Sequence, residues 1–118
     1  MELINKYFEA FSNKDLDTLG ELLDKDIWLT DWTASVRGKD NVLKFNEELF
    51  SKFSVIIATP VKIYGPTNVD EDQDYVSYAI EVAITLIDYS DVHTYLTVID
   101  QIDIVDNKIM NITAYKKN

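Results

Sequence analysis

The hydrophobic period of this chain changes once, near residue 53, and that change limits the folds open to it. Before it, apolar residues recur at helical spacing; after it, they alternate at every second position almost to the end. Leu3, Ile4, Tyr7, Phe8 and Phe11 form an apolar stripe with Asn5, Lys6, Glu9 and Ser12 opposite, which predicts a helix over residues 2–12. Asn13-Lys14-Asp15 supplies capping chemistry for a second short helix, marked by Leu16, Leu19, Leu22 and Leu23 and ended by Asp24-Lys25-Asp26. Residues 26–32 alternate as a short strand, with Ile27, Leu29 and Asp31 on one face and Trp28, Thr30 and Trp32 on the other. Gly38 precedes the third and longest helix, whose stripe is Val42, Phe45, Leu49, Phe50 and Phe53; the loop between, residues 33–37, has no period.

Four strands follow, over residues 54–64, 75–89, 92–105 and 108–115. Pro60 cannot donate to a ladder, which argues for a bulge or an edge position. The acidic run Asp70 to Asp74 reads as a solvated hairpin loop, because it lacks the ligand spacing of a calcium loop. Asp106-Asn107 suits a two-residue hairpin turn. Helices gathered on one face of an antiparallel sheet make an α+β domain, and a strongly curved sheet around three helices leaves a cone-shaped pocket between them. The 118 residues suffice for one such domain, 1–118.

Charge and composition narrow the partners. Twenty-one acidic residues against eleven basic ones give a formal charge of -10, which repels phosphate backbones, and no basic stripe offsets it, so no nucleic-acid partner is expected. Cysteine is absent, which excludes disulfides and thiolate chemistry, and the single histidine, His93, reads as a surface residue beside Asp91 rather than a metal ligand. The first residues lack a basic region followed by an apolar run, and no stretch approaches the ~20 apolar residues of a span. A cytoplasmic protein without a membrane partner is the expectation.

One strand breaks its own pattern. Leu96, Val98, Asp100, Ile102 and Ile104 share a face, so Asp100 is a lone carboxylate in an apolar row. An ionised carboxylate taken out of water there must gain a proton, find a donor or line a polar cavity. Asp31 shares a face with Ile27 and Leu29 in the same way.

Taken together, the run Tyr7-Phe8-Glu9-Ala10-Phe11-Ser12-Asn13-Lys14-Asp15-Leu16-Asp17, then Leu22-Leu23, Asp26, Asp31 and Gly38 before a helix, resembles the N-terminal half of the NTF2-like (cystatin-like) superfamily. Its SnoaL-like and ketosteroid isomerase-like branch is the nearest, and the four-strand tail with Ile99-Asp100 fits as well. Ketosteroid isomerases carry a first-helix tyrosine, an aspartate at the end of the short strand and an aspartate on a late strand, and these fall on Tyr7, Asp31 and Asp100. The resemblance implies that Asp31 is a general base, while Tyr7 and a protonated Asp100 donate hydrogen bonds to an oxyanion. It also implies a small apolar carbonyl compound as ligand, no cofactor, and an isomerase; in the related polyketide cyclases the late-strand aspartate is the acid/base of an aldol ring closure, a role that would fall on Asp100.

This chain departs from the pattern where Trp32 follows Asp31, a position commonly proline in steroid isomerases, and in the loop that follows. Other readings of the residues stay open. Tyr7 can be a core tyrosine, Asp31 can cap its loop or pair with Arg37, and the fold can serve as a non-catalytic ligand-binding or dimerisation module. Trp28 and Trp32 can line the pocket entrance or a subunit interface. The opposite sheet face, with Thr97, Ile99, Gln101, Ala79, Ala83 and Ile87, is apolar enough to predict a homodimer, as is usual in the resembled family.

Overall fold

Helix α1 (Glu2–Ser12) buries Ile4, Tyr7, Phe8 and Ala10, the side of the stripe that meets the sheet. The computed structural model describes residues 2–67 and 75–117, so the acidic run from Asp70 to Asp74 lies outside the described residues. Helix α2 (Leu16–Leu22) starts on Asp15, whose carboxylate accepts from the Thr18 amide at 3.1 Å and the Thr18 hydroxyl at 2.6 Å. Those two bonds hold the Asp15 carboxyl below its ordinary range.

Strand β1 (Leu23–Thr30) begins earlier than the alternation predicts, and here the structure corrects the reading. Leu23 is not the last residue of a helix: it is extended, fully buried and paired with Ile109 of the last strand. A buried leucine looks alike at a helix end and a strand start, which is why periodicity misplaces it. Asp24-Lys25-Asp26 sits in the strand too, across the stretch where its pairing register shifts. Strand β2 (Ser35–Arg37), read as loop, pairs antiparallel with β1; three residues are too few to show a period. Helix α3 (Lys39–Lys52) follows Gly38, which stands at φ +91 where a side chain would strain the backbone.

The remaining strands are β3 (Phe53–Tyr64), β4 (Val76–Asp88), β5 (His93–Val105) and β6 (Lys108–Lys117). The sheet order is β2-β1-β6-β5-β4-β3. Hairpin neighbours are antiparallel, whereas β1 runs parallel to β6, so the sheet is mixed. The β5–β6 turn uses Asp106 and Asn107, both at positive φ, as a two-residue hairpin of this type requires. Both expectations for Pro60 hold: β3 is an edge strand, and its register shifts between Pro60 and Lys62. Such shifts, repeated against β1 and in β6, bend a sheet and give it a concave face.

The concave face carries the core. Ile80, Val82, Val98, Ile102 and Ile112 from three adjacent strands pack beneath α1 and α3. Ser12 ties α1 to the open edge of β3, accepting from the Ala58 amide at 2.9 Å and donating to the Ala58 carbonyl at 3.3 Å. Edge groups left unpaired invite another chain, and this hydroxyl occupies a pair of them. The convex face stays open, with Ile57, Tyr95 and Tyr115 exposed.

Candidate active site

Asp100 sits mid-strand on the concave face of β5, opposite Ile80 of β4 and Ala114 of β6. Its face-sharing neighbours Val98 and Ile102 are essentially sealed, and Asp100 itself is 7 % exposed. Burial, and after it the negative charge of Asp31, push its carboxyl up to about 7. Neither oxygen makes a hydrogen bond among the described residues, and neither is shut away from space. Asp100 instead lines a cavity of about 370 Å³, open at one side, walled by α1, α3, the residues after β1 and the sheet.

Tyr7 reaches the same cavity from α1. Its ring is wedged edge-on against Phe8 at 5.0 Å, and Phe11 lies 6.2 Å away. Its hydroxyl has no hydrogen-bond partner among the described residues. Burial above all, with Asp100 nearby, drives its pKa upward, so the phenol keeps its proton and can only donate or accept as a neutral group.

Asp31 is the first residue beyond β1, at the cavity mouth. Its Oδ1 accepts from the Thr33 amide at 2.7 Å, the Thr33 hydroxyl at 2.7 Å and the Ala34 amide at 2.8 Å. The carboxylate thus caps its own loop through one oxygen, while Oδ2 has no partner among the described residues. Arg37 does not pair with it: the guanidinium lies over the Trp28 ring at 4.8 Å. Trp28 donates from Nε1 to Ser35 Oγ at 2.7 Å and stands outside the cavity. Trp32 lines the mouth beside Asp31, not the opposite face, because the strand ends at Thr30 and alternation ends with it.

The structure therefore brings Tyr7, Asp31 and Asp100 to one cavity from three elements far apart in sequence. Most of the remaining wall is apolar, with Phe11 and Phe45 from the helices and Leu96, Val98 and Ile112 from the sheet. Sequence reasoning missed a fourth polar member, Asn46 of α3, which is 3 % exposed and lines the same space. The signal was present: Asn46 lies four residues after Val42 and four before Phe50, in the buried row of its helix. His93 is exposed, 3.2 Å from Asp91, as its position predicts. Among the described residues no three His, Cys, Asp or Glu side chains are grouped to hold a metal ion, and no helix is long and apolar enough to cross a membrane.

The sequence profile of the SnoaL-like domain matches residues 4–112, which is nearly the whole chain. The chain belongs to the SnoaL-like family. Its six-strand mixed sheet and three helices are the NTF2-like α+β fold. Among solved structures, a protein of ketosteroid isomerase-like fold from Catenulispora acidiphila, in complex with trimethylamine, is 14% identical, with TM-score 0.81, covering 97% of this chain and 84% of that one. An epoxide hydrolase of the LEH-like type from M. tuberculosis is 15% identical, with TM-score 0.80 and coverages of 98% and 80%. A candidate SnoaL-like polyketide cyclase from Shewanella denitrificans is 10% identical, with TM-score 0.81 and coverages of 98% and 88%. No functionally curated protein matches the sequence. At such identities SnoaL-like proteins share a fold, and the activity has to be argued from the site.

Proposed function

We propose that this SnoaL-like protein binds a small, largely apolar carbonyl compound and moves a proton on the carbon next to its carbonyl, without a cofactor. One observation carries the reading. Two buried polar side chains, Tyr7 and Asp100, make no hydrogen bond to the described residues and face the same apolar cavity as Asp31. Polar groups so buried are normally paired within the protein, and unpaired ones are costly unless a ligand completes them.

In this reading the substrate oxygen accepts from the Tyr7 hydroxyl and from the protonated Asp100 carboxyl. Asp31 takes the neighbouring C–H proton on Oδ2, the oxygen its loop leaves unused. The C–H electron pair moves into the new C=C bond and charge collects on the oxygen, where the two donors stabilise it in a low-dielectric site. Return of the proton from Asp31 to the far carbon of a β,γ C=C bond conjugated with the enolate completes an isomerisation; attack of the enolate carbon on a second carbonyl, whose oxygen then takes the proton from Asp31, completes a ring closure. Exchange of that proton with deuterated solvent, followed by NMR on a simple activated ketone, tests the shared first step. Tyr7→Phe is expected to lower the exchange rate by about a hundredfold or more with the melting temperature little changed. An unaltered rate removes Tyr7 from the site.

A second reading rests on the three hydrogen bonds to Asp31 Oδ1, which suit a residue kept to shape its loop. The cavity then binds ligand without turnover, and the same ketone binds wild-type protein with no exchange. Independently, we propose that a second copy of the chain covers the convex sheet face, on the strength of the exposed Ile57, Tyr95 and Tyr115. Sedimentation velocity is expected to show a dimer that Tyr95→Lys shifts toward monomer. A wild-type monomer at all accessible concentrations removes this proposal.

A further inference from the structure

The buried row of α3 is Val42, Asn46 and Phe50, one residue per turn along a single face. Two of these belong there by hydrophobicity, and Asn46 does not. It is 3 % exposed, its side chain makes no hydrogen bond among the described residues, and it lines the cavity. Asparagine is a poorer helix former than leucine, and its amide loses water on burial with nothing in the protein to replace it. A leucine at this position would fill similar volume and complete the apolar row. The two aspartates of the cavity, Asp31 and Asp100, have the same unfavourable look, yet the proton-transfer reading assigns both of them work. Asn46 is left without any.

We propose that Asn46 is a ligand-recognition residue, and that the substrate is a carbonyl compound bearing a second, neutral oxygen function, a hydroxyl or another carbonyl, on the side that rests against α3. The proposal rests on the proton-transfer reading for the position of the reacting oxygen, at Tyr7 and Asp100. The helix supplies Asn46 from a different wall than α1 and β5, so one ligand oxygen is held at the reacting end and the other at α3. A side-chain amide both donates and accepts, so it serves either a hydroxyl or a carbonyl. An anionic group is disfavoured, because the chain carries a formal charge of -10 and Asp31, the carboxylate base of that reading, lines the cavity. Glu48 and Lys52 of the same helix also line the cavity, with opposite formal charges that sum to zero.

The test is equilibrium binding, which separates recognition from turnover. A naphthol, whose phenolic oxygen stands in for the enolate oxygen, and the isomeric dihydroxynaphthalenes are titrated by fluorescence into wild-type, Asn46→Leu and Tyr7→Phe proteins. At least one dihydroxy isomer is expected to bind wild type about tenfold or more tighter than the naphthol, since a site built to pair a hydroxyl discriminates strongly against its absence. In Asn46→Leu that ratio is expected to fall to about one, with naphthol binding unweakened and the melting temperature no lower than wild type. Tyr7→Phe weakens all the ligands and leaves the ratio in place. Asn46→Ala gives the same loss of discrimination should the leucine variant fail to fold. Absent discrimination in wild type, or discrimination that survives both Asn46 variants, overturns the role of Asn46 while Tyr7-dependent naphthol binding leaves the proton-transfer site standing. Naphthol binding that is absent or indifferent to Tyr7 overturns both.

Discussion

Asp31→Asn is expected to lower proton abstraction from an activated ketone by about a hundred- to ten-thousandfold, the range a positioned general base contributes. The substitution is chosen because asparagine keeps a carbonyl oxygen where Oδ1 accepts from Thr33 and Ala34. The loop capping survives, and only the basic oxygen is lost. Solvent deuterium exchange measures the loss, naphthol binding checks that the cavity is intact, and thermal melting checks the fold. Exchange at the wild-type rate would falsify Asp31 as the base. Lost exchange accompanied by a collapsed melting temperature assigns it to the loop alone.

The second large effect concerns stability and pH. The Asp100 carboxyl stands at about 7 in the folded chain against an ordinary 3.8. Between those values the folded protein holds a proton that the unfolded chain has released, so this group's contribution to stability falls as pH rises from about 4 to about 7 and is level above that. A displacement of that size corresponds to a loss on the order of 4 kcal/mol. Asp100→Asn removes the titration while keeping shape and a donor. Urea unfolding of the two proteins from about pH 4 to about pH 8 is expected to show nearly equal stability at the acid end and a variant more stable by that order at the alkaline end. Groups that do not interact with Asp100 titrate alike in both proteins and cancel in the difference. A difference that does not change with pH means that Asp100 carries no buried, proton-holding carboxyl. Wild-type turnover should decline above about pH 7 for the same reason, as the donor to the substrate oxygen becomes a second negative charge.

Much of this architecture is readable from residue order because each element shows one dominant period. The stripe of α1, the cap at Asp15, the turn at Asp106-Asn107 and the edge role of Pro60 are local consequences of side-chain chemistry. Where periodicity misleads, the cause is equally local. Leu23 is apolar in either a helix or a strand, and only its pairing with Ile109 decides. Strand β2 is too short to alternate, and Trp32 follows the end of β1, where the two-residue rule no longer holds. Asn46 escapes notice because one polar residue in a helical stripe stands out less than a charge in a strand.

Sequence alone determined that Asp100 is a carboxylate in an apolar row, that Tyr7 lies in a buried stripe and that Asp31 lies near the end of a short strand, since these follow from spacing along single elements. Residue spacing carried no information on which way β1 runs against β6, and so none on where Asp31 and Asp100 stand relative to each other; only the family resemblance implied that they share a site. That parallel pairing joins residues more than eighty positions apart in the chain, and no local preference encodes it. Closure of the sheet around α1 and α3 turned three separate oddities into one cavity, and added Asn46 to them. The decision was tertiary because burial, and with it the cost of an unpaired polar group, exists only once distant elements pack.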